Sequence, residues 1–300
     1  MLGFPASWTH RGFAFNAHLY ADGTPDEAYV HATVTIDERR ILTGYRDLRE
    51  PLHLAQGGTL GRVHKNMTLI QLVGRIQVAD ATQAASISDR ERELLVAFDP
   101  YLCYLDSPST DGAYALDFSE ATLDTTNYPS GIVLLRYYCR PTERPLMSEH
   151  LNERGWRNYS LALVAPDPRC YEQSSGSLVL TPGSPSGNII NRGSVPGPLR
   201  ATILMAGSGA ANFTITVGGV ALVLNLAGLA AGQTCVVTME TCGPYGRGRR
   251  VVAPAGTEAF SRKTSGAATW LTAPAGTTAA SIANTTNVAS CTLEWKHSRP

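Results

Sequence analysis

The commonest pattern along this chain is simple alternation. Between Glu27 and Ile36, Ala28, Val30, Ala32, Val34 and Ile36 fall on one face and Tyr29, His31, Thr33 and Thr35 on the other. That period of two predicts a half-buried strand. Asn66–Val78 repeats it, with Thr68, Ile70, Leu72, Gly74, Ile76 and Val78 in phase. Ile41–Tyr45 reads as a short strand or turn, and further strands are expected at Tyr101–Leu105, Gly112–Phe118, Gly131–Arg140 and Tyr159–Ala165. The period shifts to the helical one over residues 81–98, where Ala84, Ile87, Leu94, Leu95 and Phe98 share a face and Asp89–Glu93 face solvent. Asp80 reads as its N-cap, Gln83 as a capping-box partner, and Asp99-Pro100 as its stop. Arg144–Arg157 reads as a short helix or a loop.

From Tyr171 onward the chain reads as strand and turn alone. Ala211–Val217 and Val220–Leu226 are joined by Gly218-Gly219, a strong hairpin signal because a primed turn needs positive φ at its centre. With Leu199–Met205 before the pair and Gln233–Glu240 after it, the stretch is expected to form a meander. A glycine-rich excursion (Gly243–Gly256) and strands at Ala279–Ala283 and Ser290–Lys296 complete the pattern. The fold class predicted is all-β with one main helix: a barrel-like β domain over 1–170 carrying the helix at about 81–98, then a β-sandwich over 171–300.

Charge sharpens that division. The net charge of zero conceals 16 Lys+Arg against 21 Asp+Glu in residues 1–170, and 9 against 4 in residues 171–300, where Asp is absent. Neither half has the dense basic face of a nucleic-acid binder, and Arg247, Arg249 and Arg250 read as a solvated loop. The six cysteines show no metal-ligand spacing, and Met1–Tyr20 lacks the basic-then-apolar order of a secretory leader. The thiols are therefore expected to be reduced and buried. No apolar run is long enough to predict a membrane-spanning helix.

A search for chemistry returns little. The seven histidines are scattered, and no zinc-protease, nucleophile-elbow or P-loop motif is present. A glycosidase would need two carboxylates flanking a groove. Residues 171–300 offer only Glu172, Glu240, Glu258 and Glu294, three of them beside strands. No catalytic residue, metal ligand or cofactor is assigned, and the chain is read as a non-enzyme. Two features remain. The stretch Arg46–Lys65, with Gly57, Gly58 and Gly61, is long for a loop in a compact domain, and such loops tend to carry function. Trp270 and Trp295 could stack on a sugar; the phase of Trp295 with Cys291 and Leu293 favours the core, leaving Trp270, with Arg192, as the weak glycan candidate.

The sequence resembles the distal tail proteins of long-tailed bacteriophages. The resemblance is carried by Ile41-Leu42-Thr43-Gly44, by Met67–Ile76, by the helix ending Arg92–Phe98, and by Ala165-Pro166-Asp167-Pro168-Arg169. In the second half it lies in Asn191-Arg192-Gly193, Pro198, Phe213–Glu240, Trp270–Gly276 and Thr292–Lys296. Where that family closes a strand with an acidic residue, Glu240 is the nearest candidate here. The resemblance implies a structural virion protein: a homohexameric ring joining the tail tube protein to the tail-tip hub or baseplate, with an outward β-sandwich. It further implies assembly in the bacterial host cytoplasm, and contact with receptor-binding proteins or a host surface glycan. On this reading Arg46, Arg49, Glu50, Arg62 and His64 are candidate ring or partner contacts. The alternative is a free carbohydrate-binding module that attaches to a cell-surface glycan.

Overall fold

The structure, a computed structural model, describes residues 8–11, 13–15, 31–34, 40–46, 49–51, 58–60, 64–77, 84–106, 113–148, 156–240, 244–245, 249–254, 256–266 and 269–299. The chain divides into two compact units, Met1–Pro168 and Arg169–Pro300.

Unit 1 contains strands β1 (Trp8–His10), β2 (Phe13–Phe15), β3 (His31–Val34), β4 (Arg40–Arg46), β5 (Arg49–Pro51), β6 (Gly58–Leu60) and β7 (His64–Gln77). Helices α1 (Ala84–Ala97) and α2 (Pro100–Asp106) follow, then β8 (Tyr114–Ala121), β9 (Ile132–Pro141), β10 (Leu146–Met147) and β11 (Trp156–Ala165). Antiparallel pairing runs β2-β1-β8-β9-β11-β7, with β3 and β4 sharing the other edge of β7. β7 shows the predicted alternation: Thr68, Ile70, Leu72, Gly74 and Ile76 are buried, whereas Met67, Leu69 and Arg75 are exposed. The buried residues of unit 1 come from β7, β8, β9 and β11 and include Ile87, Leu94 and Phe98 from the α1 region.

The helical region departs from expectation. Tyr101–Leu105, predicted as a strand, lies within α2. Asp99 and Pro100 start this helix as well as ending α1: the backbone N–H groups of Tyr101 and Leu102 donate to Asp99 Oδ1 at 2.9 and 3.1 Å. Asp99 is thus an N-cap, and Pro100 occupies the first helical position, where its missing N–H costs nothing. Burial alone would raise the Asp99 pKa; the Leu102 N–H, the Arg144 guanidinium and the Tyr101 N–H outweigh it and hold the carboxyl below its usual range. The proposed N-cap of α1, Asp80 with Gln83, lies outside the described residues. Two more corrections are smaller. Within Arg144–Arg157, the described part holds β10, paired with β11 through Leu146↔Ser160 and Met147↔Tyr159. Within Arg46–Lys65, β5 and β6 pair through Arg49↔Leu60, Glu50↔Thr59 and Pro51↔Gly58, so the described part of this stretch includes a short two-stranded β arm.

Unit 2 contains β12 (Cys170–Leu180), β13 (Ser186–Asn191), β14 (Leu199–Met205), β15 (Phe213–Val217), β16 (Val220–Leu224), β17 (Thr234–Thr238), β18 (Arg250–Val252), β19 (Gly276–Ala283) and β20 (Val288–Arg299). Within it one sheet runs β18-β17-β14-β20-β12 and the other β13-β19-β15-β16. One cluster of buried side chains draws on both, including Leu199, Ile203, Phe213, Ile215, Leu222, Leu293 and Trp295, as expected of a two-layer β architecture. The Gly218-Gly219 hairpin forms as predicted, with φ of +55° and +81°. The meander does not. β14 pairs with β17 and β20, while β15 pairs with β16 and β19. The chain therefore changes sheet between β14 and β15 and again between β16 and β17. Both layers need strands with an apolar face, so neighbouring strands in sequence can serve opposite layers.

Two contacts fix the seam of unit 2. Trp295 is buried as expected, and its Nε1–H donates to Ile190 O at 3.0 Å. Gly176 lies against that indole so closely that a Cβ would sit 2.1 Å from the ring, and one on Gly193 would sit 2.1 Å from Ser298 O. The five described cysteines, Cys103, Cys139, Cys170, Cys235 and Cys291, are free and buried; Cys242 lies outside the described residues. Among the described residues no helix is long and apolar enough to cross a membrane.

Candidate interaction surfaces

The predicted contact residues of unit 1 are borne by the arm and its base. Arg46 closes β4 directly opposite His64, the first residue of β7. Arg49 and Glu50 lie on β5, opposite Leu60 and Thr59. Arg62 is outside the described residues. Among the described strands, β5 and β6 pair only with one another, and an isolated two-stranded ribbon is marginally stable by itself.

A second surface in unit 1 escaped the sequence reading. Tyr101, Tyr104 and Leu105 recur at i, i+3 and i+4 along α2 and are 68%, 50% and 52% exposed, while Cys103 is buried. Helices of soluble domains ordinarily turn such a stripe inward. Unit 1 also has an open groove of about 360 Å³ lined by Arg11, Phe13, Arg90, Glu93, Val96 and Ala97. Arg11 ties the ends of both helices together: Nη1 donates to Val96 O at 2.7 Å, and Nη2 bonds the Asp106 carboxylate. The Arg90 guanidinium lies 4.0 Å from the centroid of the Phe13 ring and donates to Glu93 Oε2 at 2.6 Å. The sequence signal was present in Asp-Pro followed by helical spacing, but Tyr and Leu also suit strands.

In unit 2 the two glycan candidates are engaged by other side chains. The Trp270 ring has Lys263 Nζ at 5.0 Å and Arg249 Cζ at 5.5 Å from its centroid, with the Phe260 ring at 5.8 Å. Lys263 is itself buried and donates to Ser265 O and Gly266 O; burial, then repulsion from Arg249, lowers its pKa. Cations facing an indole compete with a sugar for its electron-rich surface. Arg192 donates to Glu172 Oε2 at 3.2 Å and Ser174 Oγ at 2.9 Å, and its backbone N–H donates to His297 Nδ1 at 3.1 Å.

The four glutamates complete the account. Glu172 pairs with Arg192 and Arg299, Glu240 with Arg169, Glu258 with Arg250 and Glu294 with Arg200. Every carboxylate side chain of unit 2 is thus held by an arginine. Arg250 is exposed as predicted, but it lies on β18 and pairs with Glu258 rather than in a loop. Among the described residues, no cluster of three or more His, Cys, Asp or Glu is placed to hold a metal ion.

These features define a mostly β protein with two helices, and the comparisons give that fold a counterpart. The chain shares the fold of the SPP1 Dit protein (gp 19.1), described as a paradigm of the hub adsorption apparatus in phages that infect Gram-positive bacteria. The TM-score is 0.52 at 13% identity, with 97% of this chain and 98% of that chain covered. Weaker likenesses reach the phage P2 baseplate in its activated conformation. With Ca the TM-score is 0.42 at 8% identity, covering 88% of this chain and 92% of the other; with Sr it is 0.43 at 9%, covering 97% of each. These two carry no argument. No family model and no curated protein matches the sequence.

Proposed function

We propose that this chain is a structural component of a long-tailed phage virion, a hub at the tail tip that joins the tail tube to the baseplate. The observation that carries this reading is the likeness to the SPP1 Dit fold across 97% of the chain, which leaves no large segment to host a separate activity. It is supported by the committed carboxylates of unit 2, and we read the protein as non-enzymatic. Residues 1–170 serve as the ring-forming domain and 171–300 as the outward domain. The ring is a homohexamer closed by head-to-tail contacts, which require two different patches on each subunit. Arg46, Arg49, Glu50 and His64, on or beside the β5–β6 arm, are assigned to such contacts with a neighbouring copy or the tube, together with Arg62. The protein acts in the virion after assembly in the host cytoplasm. The glycan-binding alternative is weakened by the cations around Trp270.

Immunogold labelling of purified virions tests the hub reading. Label confined to the distal end of the tail is expected; label on capsids or along the whole tail sinks it. Native mass spectrometry tests the ring: a species near six times the 32.1 kDa chain mass is expected, alone or on added tail tubes. A ladder of other stoichiometries counts against six-fold closure.

A further inference from the structure

We propose that residues 192–196 form an acid-opened flap on unit 2, with His297 as its latch: the flap is fastened while the imidazole is neutral and is let go when the ring takes up a proton. The inference stands on the geometry of unit 2 and does not rest on the hub reading.

The flap is a short piece of chain between two fixed ends. At one end Asn191, buried at the close of β13, donates through Nδ2 to Ala273 O at 2.8 Å and to Val195 O at 3.1 Å, and its Oδ1 accepts the Gly193 N–H at 2.9 Å. At the other end Gly197 and Ala273 exchange N–H···O bonds of 2.8 and 3.0 Å. Between these anchors the flap is fastened to its surroundings at Arg192, Val195 and Pro196. The Arg192 N–H donates to His297 Nδ1 at 3.1 Å, the Val195 N–H donates to Ser298 O at 3.3 Å, and Pro196 O accepts from Arg169 Nη1 at 3.0 Å. The Arg192 side chain adds to these by reaching Glu172 Oε2 and Ser174 Oγ on β12.

The bond to His297 depends on charge. An imidazole nitrogen that accepts a hydrogen bond carries no proton, whereas both nitrogens of an imidazolium are donors. A proton on Nδ1 would therefore set donor against donor at the Arg192 N–H. The His297 side chain is only 4% exposed. Within unit 2 the charged groups that act on it are Glu172 from β12, Arg192 from the flap, and Lys296 and Arg299 from β20 itself. Cys170 and Tyr171, opposite Arg299 and Ser298, carry no charge in acid.

Of the three cations, Arg192 alone lies outside a strand. Lys296 and Arg299 are held in register with Ser175 and Cys170 of β12, and Lys296 Nζ donates to Gln173 O at 2.7 Å. Glu172 is the one anion of the group; its side chain is 1% exposed and already bound by Arg192 and Arg299. Protonation thus exchanges partners. The imidazolium takes over from Arg192 as companion of the Glu172 carboxylate, and the guanidinium leaves with the flap.

Burial lowers the His297 pKa in the closed state; Glu172 opposes this, and Arg192, Lys296 and Arg299 add to it. With the flap open the ring meets water and takes up its proton near pH 6.5. Closure is therefore favoured in full above about pH 6.5 and weakens as pH falls below it.

Single-amide hydrogen–deuterium exchange of the full-length chain tests the latch between about pH 7 and pH 4.5, read by mass spectrometry and normalised to the intrinsic rate at each pH. The Arg192 amide is expected to lose roughly ten-fold or more in protection, while the Gly197 amide, bonded to Ala273 O, keeps its own. Constant protection at Arg192, or equal loss at both amides, overturns the proposal. Exchange at the C2 carbon of the His297 ring, followed in the same samples, reports the ring's own titration. A ring that stays neutral while the Arg192 amide is released also overturns it. His297→Gln supplies an uncharged acceptor that does not titrate, so protection of the Arg192 amide is expected to become independent of pH. The wild-type loss persisting in that variant counts against the latch. If the variant does not fold, the two wild-type measurements decide.

Discussion

The two units solve the same burial problem to different degrees. In unit 2 a single cluster of apolar side chains, from Leu180 to Trp295, is shared by both sheets. Unit 1 has well-buried residues on β7, β9 and β11 but leaves Met67, Leu69, Val96, Tyr101, Tyr104, Leu105, Leu123, Ile132, Leu134 and Leu146 exposed. Only five large apolar side chains are similarly exposed in unit 2, although more of its side chains are described. A sheet-and-helix unit that is closed on itself has no need to show that much apolar surface. The difference accords with the proposed assembly through residues 1–170.

The largest expected effect breaks unit 2 at its seam. Trp295→Ala removes the indole that packs on Gly176 and bonds Ile190 O, and costs about 4 kcal/mol. Denaturant unfolding followed by fluorescence and circular dichroism checks it. Tyr104→Ala in unit 1 is the counterpart, with a change within about 0.5 kcal/mol. Equal losses at the two positions would erase the contrast between closed and open units.

Acid separates the units next. His10 is buried between Phe98, stacked at 4.6 Å, and Tyr114 at 5.9 Å, and among the described residues neither ring nitrogen has a hydrogen-bond partner of full geometry. Burial lowers its pKa to about 4, with the nearby Cys139 backbone only partly offsetting this and Arg11 adding to it. The unfolded chain takes up this proton near pH 6.5 and the folded chain only near 4. The stabilisation is therefore complete above about pH 6.5 and is lost as pH falls towards 4, a total of about 3 kcal/mol. His10→Phe keeps an aromatic ring in the stack and is expected to flatten that slope in thermal melts between pH 7 and 4. An unchanged slope assigns the acid sensitivity elsewhere. In unit 2 His297 is also held neutral, since its Nδ1 accepts the Arg192 N–H. Burial outweighs the opposing pull of Glu172 there and its pKa is lowered, so some acid loss is expected to survive the His10 change.

The contrast between the units also explains what the sequence could disclose. Alternation at Thr68–Ile76 and the Gly218-Gly219 turn are local, and each appeared where the residues said it would. The placement of β14 and β15 in different sheets is not local: it depends on which strands lie beside β20 and β19 after the chain has folded. The α2 helix was hidden for another reason. Tyr-Leu-Cys-Tyr-Leu has the composition of a strand, and only Asp99 as a cap distinguishes it. Of the candidate sites, the arm could be placed from its glycines and length, but not the ladder within it. The surroundings of Trp270 come from Lys263 and Phe260 in a neighbouring turn and from Arg249 further back, and no pattern around residue 270 announces them.

Asp99→Ala tests that cap directly. It removes the single oxygen that accepts from both N–H groups at the start of α2, and the partner of Arg144, whose Nε donates to Oδ2 at 2.7 Å. A loss of about 1–2 kcal/mol is expected. Asp99→Asn retains a capping oxygen and is expected to recover most of the stability. Recovery by neither residue nor any loss at all would mean that packing alone holds α2.

The smallest effect compares one device in both units. Asp117 and Arg136 face each other across β8 and β9, as Arg200 and Glu294 do across β14 and β20. In the first pair Arg136 Nη2 and Nε donate to separate carboxylate oxygens, Nη2 at 2.8 Å, and these bonds hold the guanidinium protonated above its usual range. In the second, both donors converge on Glu294 Oε2 at 2.9 and 2.6 Å. The Asp117–Arg136 side chains are 22% and 30% exposed, against 32% and 38% for Glu294 and Arg200. A two-oxygen fork in less water is the stronger arrangement. Double-mutant cycles are expected to give a coupling of about 1 kcal/mol for Asp117–Arg136 and about 0.5 kcal/mol for Arg200–Glu294. Raising the salt to 1 M should erode the second more completely, because its charges are better reached by counterions. The reverse ranking would show that fork geometry on these sheets matters less than the neighbours packed around it.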